Sequence, residues 1–140
     1  MMLETSAILA VLLNEPERAE FLDAIEEAES PFTTAVALSE AAMALAARTQ
    51  IAPTAALQAV RAFLDQAGVS VVDFIAAMAE PALEAREKFG RGRHSAALNF
   101  GDCLSYGAAR HHRAPLLFKG KDFAQTDIAS ALSRPARASS

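Results

Sequence analysis

Apolar residues along the chain fall into short runs or recur at helical spacing, with Pro, Gly and Asn between them. Met1-Met2-Leu3 predicts a short strand that ends at Glu4. Thr5 and Ser6 are then good caps for a helix over Ala7–Leu13, which Asn14-Glu15-Pro16 breaks. Glu17–Glu29 places Phe21, Leu22 and Ile25 on one helical face, and Ser30-Pro31 ends it. Phe32-Thr33-Thr34 reads as a short strand or a cap before an Ala-rich helix from about Ala35 to Arg48. Pro53 opens a helix over Thr54–Gln66, with Leu57, Val60, Phe63 and Leu64 facing inward and Gly68 as its stop. Val69–Val72 is the clearest strand by β-branched content. The spacing predicts a further helix over Ile75–Phe89, with Pro81 near its middle as a kink or break. A basic loop, Gly90-Arg91-Gly92-Arg93-His94, precedes a helix from Asn99 to about Arg113. Leu116-Leu117-Phe118 is a last buried strand, Lys119–Phe123 the turn after it, and Thr126-Asp127-Ile128 a final short turn.

Helices alternating with short apolar strands predict an α/β protein, a three-layer α/β/α sandwich around a short, mostly parallel sheet. The 140 residues suffice for one domain with a real core. That domain is expected over residues 1–130, with 131–140 as a C-terminal tail. The apolar run Ala7–Leu13 is too short to span a bilayer, and Glu4 interrupts any leader-like stretch. Cys103 is the only cysteine, which suits a reducing cytoplasm and reads as a buried structural thiol.

Charge alters this picture in one respect. The net charge of −4 announces no basic nucleic-acid binder, but the distribution is uneven. Eight acids and one base lie in the first 30 residues, whereas ten of the thirteen bases lie from Arg86 onward. Arg91, Arg93, Lys119 and Lys121 are candidates for phosphate contact; ordinary solvated loops are the alternative.

Four acids stand where a parallel sheet can gather side chains. Glu4 and Asp122 each follow a short strand. Glu40 sits on a helix among Ala37, Ala41 and Ala44, where a carboxylate must be exposed, paired or bound to a cation. Asp102 falls in the first turn of a helix that Asn99 can cap, and the helix dipole alone would justify it there. Clustered carboxylates repel, and Mg²⁺ or Mn²⁺ relieves this because hard cations prefer oxygen ligands. A cation so held can activate a water for attack at phosphorus. Other chemistries fit less well: there is no P-loop or GxGxxG, and His94, His111 and His112 lack zinc-site spacing.

The combination of pieces resembles a known family. Met2-Leu3-Glu4-Thr5-Ser6-Ala7-Ile8-Leu9 is similar to the opening of PIN-domain nucleases, especially VapC-type toxins of bacterial toxin–antitoxin pairs. Ser39-Glu40 resembles the family's second acid, and Leu98-Asn99-Phe100-Gly101-Asp102-Cys103 its third. Leu116–Phe123 resembles its last strand and turn. Two departures stand out: Glu4 replaces the usual Asp, and Gly120 stands where many relatives carry an extra Asp. Asp122 is the candidate fourth acid, with Asp127 as the alternative.

The resemblance implies a PIN fold and Mg²⁺- or Mn²⁺-dependent endoribonuclease activity on RNA, with Glu4, Glu40, Asp102 and Asp122 catalytic and metal-holding. It also implies a type II toxin, a small VapB-type antitoxin and a homodimer. The Ala-rich helices around Ala35–Ala47 and Thr54–Phe63 offer apolar surface for such partners. Two competing readings remain: a catalytically weak binding module or scaffold, and a phosphatase-like enzyme acting on small phosphoesters.

Overall fold

The computed structural model describes residues 1–132, so the expected tail lies outside the described residues except for Ala131 and Leu132. Four short strands form one sheet: β1 (Met2–Leu3), β2 (Phe32–Thr34), β3 (Ser70–Val72) and β4 (Leu116–Leu117). Every pairing among them is parallel, in the order β3-β2-β1-β4. Successive side chains point to opposite faces, and both faces are covered. Leu3 and Leu117 join the core under α1 (Thr5–Leu12), α2 (Arg18–Glu27), α3 (Ala35–Thr49) and α4 (Pro53–Gln66). Met2 and Leu116 join the opposite core, built with α5 (Ala79–Phe89) and α6 (Phe100–His111). The polar side chains on the central strands are Thr33 and Thr34, both buried and both hydrogen-bonded, to Leu3 O and to the Ala37 amide. The protein has the three layers expected of its alternating elements.

The strand order matters most for the site. The chain steps outward from β1 to β2 to β3, then returns to place β4 on the other side of β1. The order in which strands are added therefore reverses between β1 and β4, and open α/β sheets bind ligands outside the carboxyl ends of such neighbours. β3 is an edge strand whose Ser70 and Val71 are exposed. At the other edge, the amide of Leu116 donates to Ala129 O and that of Ala131 to Leu116 O, each at 2.9 Å, which covers β4.

Two local expectations are corrected. The expected helix is divided, but not at Pro81: a 3₁₀ turn over Ala76–Met78 precedes α5, so Pro81 lies in the first turn of that helix and neither kinks nor breaks it. Its missing N–H costs nothing there, because first-turn amides have no helical acceptor. Thr5 and Ser6 are not the caps of the first helix but its first two residues. Glu4 is the cap, since β1 leaves it extended and its carboxylate accepts the Ser6 amide.

α6 packs closely on its neighbours through Gly107. A Cβ there would lie 2.5 Å from Met78 O and 2.9 Å from Ala82 N, and backbone cannot swing aside. Gly107→Ala is expected to destabilise the protein by about 1–3 kcal/mol net of any gain in helix propensity. Urea unfolding checks this; an unshifted midpoint would show that α5 and α6 separate freely.

Candidate active site

The carboxyl ends of β1 and β4 are stitched together through Ser6. The amide of Glu4 donates to Leu117 O at 3.0 Å, and the amide of Lys119 donates to Ser6 Oγ at 2.9 Å. Ser6 in turn gives both its amide, at 2.8 Å, and its hydroxyl to one Glu4 carboxylate oxygen. Glu4 is thus fixed at the switch point of the sheet, and it is only 5% exposed. Burial pushes its pKa up to about 7 against the lowering effect of the Ser6 bonds, and the charges of Asp102 and Glu40 push the same way.

Glu40 lies in the second turn of α3, which Thr34 starts by accepting the Ala37 amide at 3.1 Å. Its carboxylate accepts the Thr5 hydroxyl at 3.4 Å. The other side of that carboxylate rests on the start of α6, where a Cβ on Gly101 would lie 2.8 Å from Glu40 Cδ. Burial, then the charge of Asp102, raises the Glu40 pKa.

Asp102 occupies the third position of α6 in a reciprocal cap. Its amide donates to Asn99 Oδ1 at 2.9 Å, and its Oδ2 accepts the Asn99 amide at 3.1 Å. Burial raises its pKa; the Asn99 amide and the charge of Arg91 oppose this, while the charge of Asp122 adds to it. Asp122 is exposed in the turn after β4. Glu4, Glu40 and Asp102 therefore sit within electrostatic reach of one another, and Asp122 within reach of Asp102.

Asp127 is placed elsewhere. It accepts the Tyr106 hydroxyl and pairs with Arg110 at 3.1 Å, a cluster that ties α6 to the last turn. Among the four sequence-selected bases, the charge of Arg91 reaches Asp102, and Arg93 and Lys121 are exposed. The Lys119 ammonium turns instead to Glu15 and Glu17, with the latter at 3.2 Å. Cys103 is buried, and that burial raises its pKa, as suits a structural thiol.

Ser6, expected only as a helix cap, and Gly101 are site residues that the sequence did not mark as such. Their signals were present, because Ser6 follows Glu4 by two positions and Gly101 directly precedes Asp102, but both are also ordinary helix-start residues. The donor chemistry suits a hard divalent cation: acceptor-only carboxylates that burial and mutual repulsion disfavour in charged form. Among the described residues no three carboxylates converge as a ready ligand set. Glu4 is engaged by Ser6, Glu40 by Thr5, and one oxygen of Asp102 by Asn99.

A consequence for stability follows from Glu4. Its folded pKa lies above its unfolded value, so the folded state holds the extra proton between about pH 4.5 and 7. The corresponding stability, up to about 3 kcal/mol, is present below that window and is lost as pH rises through it. In metal-free buffer the melting temperature is expected to fall from pH 5 to 7.5, and Glu4→Gln is expected to flatten that fall. An identical slope in the variant would assign the titration to other groups.

A three-layer sheet with acids gathered at its β1–β4 switch point defines the class, and comparison with known proteins agrees. The PIN domain family profile matches residues 1–129, and the chain belongs to that family. Ribonuclease VapC30 of Mycobacterium tuberculosis is 38% identical over 130 residues, covering 93% of this chain and 97% of its own. Ribonuclease VapC28 of the same organism is 37% identical over 135 residues, covering 96% and 99%. Ribonuclease VapC of Mycolicibacterium smegmatis is 36% identical over 130 residues, covering 93% and 98%. Within the PIN family, the chain is thus a member of the VapC ribonucleases. The fold is shared with crystalline M. tuberculosis VapC20, described as a Sarcin-Ricin loop cleaving toxin, at TM-score 0.70 and 18% identity over 91% of this chain and 95% of that one. A toxin–antitoxin complex from Klebsiella pneumoniae gives 0.67 and 16% over 90% and 92%.

Proposed function

We propose that this chain is the toxin of a type II toxin–antitoxin pair, an endoribonuclease that hydrolyses RNA phosphodiesters with Mg²⁺ or Mn²⁺. The observation that supports this is the placement of Glu4, Glu40 and Asp102 within electrostatic reach of one another at the switch point of a PIN fold, with Asp122 within reach of Asp102. These four would hold the metal, which when bound supplies Lewis-acid polarisation and an acidified water at neutral pH. The chain's own residues set the stage for it. Ser6 orients Glu4, Thr5 orients Glu40, and Asn99 holds one oxygen of Asp102 while leaving the other open. Asp122 is favoured over Asp127 as the fourth acid, because Tyr106 and Arg110 already occupy Asp127.

Arg91, Arg93 and Lys121 would draw the RNA backbone toward the acids. Lys119, paired with Glu15 and Glu17, would reach a phosphate only by exchanging partners. A small VapB-type antitoxin and a second copy of the chain are the partners this reading supplies. Met43, 59% exposed on α3, is apolar surface available to them. Among the described residues no helix is long and apolar enough to cross a membrane, and the reading places the protein in the cytoplasm.

Cleavage of total RNA that requires Mg²⁺ and stops on addition of EDTA tests the proposal. Metal binding should also raise the melting temperature, with a stabilisation of about 2.7 kcal/mol at 100 times Kd. A melting temperature indifferent to millimolar Mg²⁺ and Mn²⁺ would overturn the metal site. The second reading, a catalytically weak binding module, is favoured by one observation: the carboxylate in the unusual first position is engaged by Ser6. It predicts no EDTA-sensitive cleavage at all.

A further inference from the structure

A cleft of about 380 Å³ opens between α5 and the start of α6, on the residues that flank Asp102. Its lining is of two kinds. Leu83, Phe100, Cys103 and Leu104 are apolar, while Arg86 and Arg91 are cationic. Phe100 and Leu83 are 79% and 67% exposed, the two most exposed of the large apolar side chains among the described residues. Phe100, Cys103 and Leu104 share one face of α6 by their spacing, so the aromatic ring stands over the apolar wall of the cleft.

The Arg86 side chain and the Arg91 backbone are held in place. Arg86 Nη1 donates to Arg91 O at 3.1 Å, and the Arg91 amide donates to Leu98 O at 3.2 Å. The Arg86 guanidinium lies across Gly90, where a Cβ would come within 2.7 Å of Nη1. The cleft also lies beside Asp102, since Asn99, which caps it, and Cys103, which follows it, line the cleft.

An exposed aromatic ring in a cleft that two arginines also line, beside a carboxylate that would hold a metal, has the composition of a seat for an unpaired nucleotide. Bases stack on aromatic and guanidinium planes, and phosphates pair with arginine. The size suits a small-molecule site. We propose that this cleft seats an unpaired base of the RNA substrate on the Phe100 ring, with Arg86 and Arg91 meeting the phosphates on either side. The proposal rests on the RNA-hydrolase reading and adds a subsite to it. Duplex RNA would be excluded because its bases are not free to stack, so cleavage should favour loops and single strands. A purely apolar protein partner would have no use for the two arginines.

The test uses full-length protein carrying Asp102→Asn to prevent cleavage, and short single-stranded RNAs containing 2-aminopurine, whose fluorescence falls on stacking. Phe100→Ala is expected to weaken binding by roughly 5- to 150-fold and to remove the fluorescence change. Phe100→Trp should restore both, and Phe100→Leu neither. Phe100 is exposed, so all three variants should keep the parent's circular dichroism. If the parent binds RNA and Phe100→Ala binds equally well, the inference falls and the hydrolase reading stands. If Phe100→Leu restores binding, and Phe100→Ala instead converts a dimer to a monomer by light scattering, the cleft is a protein interface and the inference falls. If the parent binds no RNA, both readings fall together.

Discussion

Asp102→Asn is expected to abolish RNA cleavage while leaving the protein folded. The new amide oxygen can still accept the Asn99 amide that Asp102 Oδ2 accepts now at 3.1 Å, so the cap of α6 survives. The negative charge does not survive, and the charge is what a divalent cation needs from this position. Loss of a mere outer partner typically costs roughly 10–100-fold, so loss of a ligand should exceed that range. Metal-free stability should hold or rise, because the folded state disfavours ionised Asp102 through burial and the charge of Asp122. Asp65→Asn, on an exposed position of α4, is the control and should leave cleavage unchanged. Wild-type cleavage by purified Asp102→Asn would place the activity elsewhere and end the carboxylate mechanism.

Gly101→Ala should separate stability from activity in the same sense, without removing any charge. A methyl group there would lie 2.8 Å from Glu40 Cδ and 2.9 Å from Oε1, so one of them must move. Glu40 is the end of a flexible side chain, whereas Gly101 is backbone in the first turn of α6. The carboxylate is therefore the group displaced. Replacing Gly by Ala adds up to about 1 kcal/mol of helix propensity, so the melting temperature should hold or rise. Cleavage should fall about 100-fold, the scale of a misplacement of an ångström in a positioned catalytic group. Paired thermal and kinetic measurements decide it. Undiminished cleavage would mean that the position of Glu40 against α6 does not matter to the reaction.

Much of this architecture was legible in the chain. Apolar runs at Met2-Leu3 and Leu116-Leu117 and the β-branched run Val69–Val72 marked strands, and Phe32-Thr33-Thr34, legible as a strand or a cap, is a strand. Asn99 and Asp102 announced the start of α6, and the structure makes them a reciprocal cap. Each of these signals involves groups within about four residues of one another, and such signals survive in any tertiary context. The misreadings have equally local causes. Pro81 looked like a kink or break because the 3₁₀ turn at Ala76–Met78 carries the same spacing as a helix. Thr5 and Ser6 looked like caps by residue type, but where α1 begins is decided by how far β1 pairs, which left Glu4 extended.

The sequence by itself determined the alternation of strands and helices, the choice of four acids and the family they resemble. Only the tertiary structure decided how those acids stand. The order β3-β2-β1-β4 brings Glu4 and the turn after Leu117 side by side across more than a hundred residues of chain. It turned Lys119 toward Glu15 and Glu17, pulled Asp127 away to Tyr106 and Arg110, and set Phe100 over a cleft. The physical reason is that side-chain periodicity records what is buried, whereas charge pairing depends on which buried elements become neighbours. That is settled only when both faces of the sheet are covered.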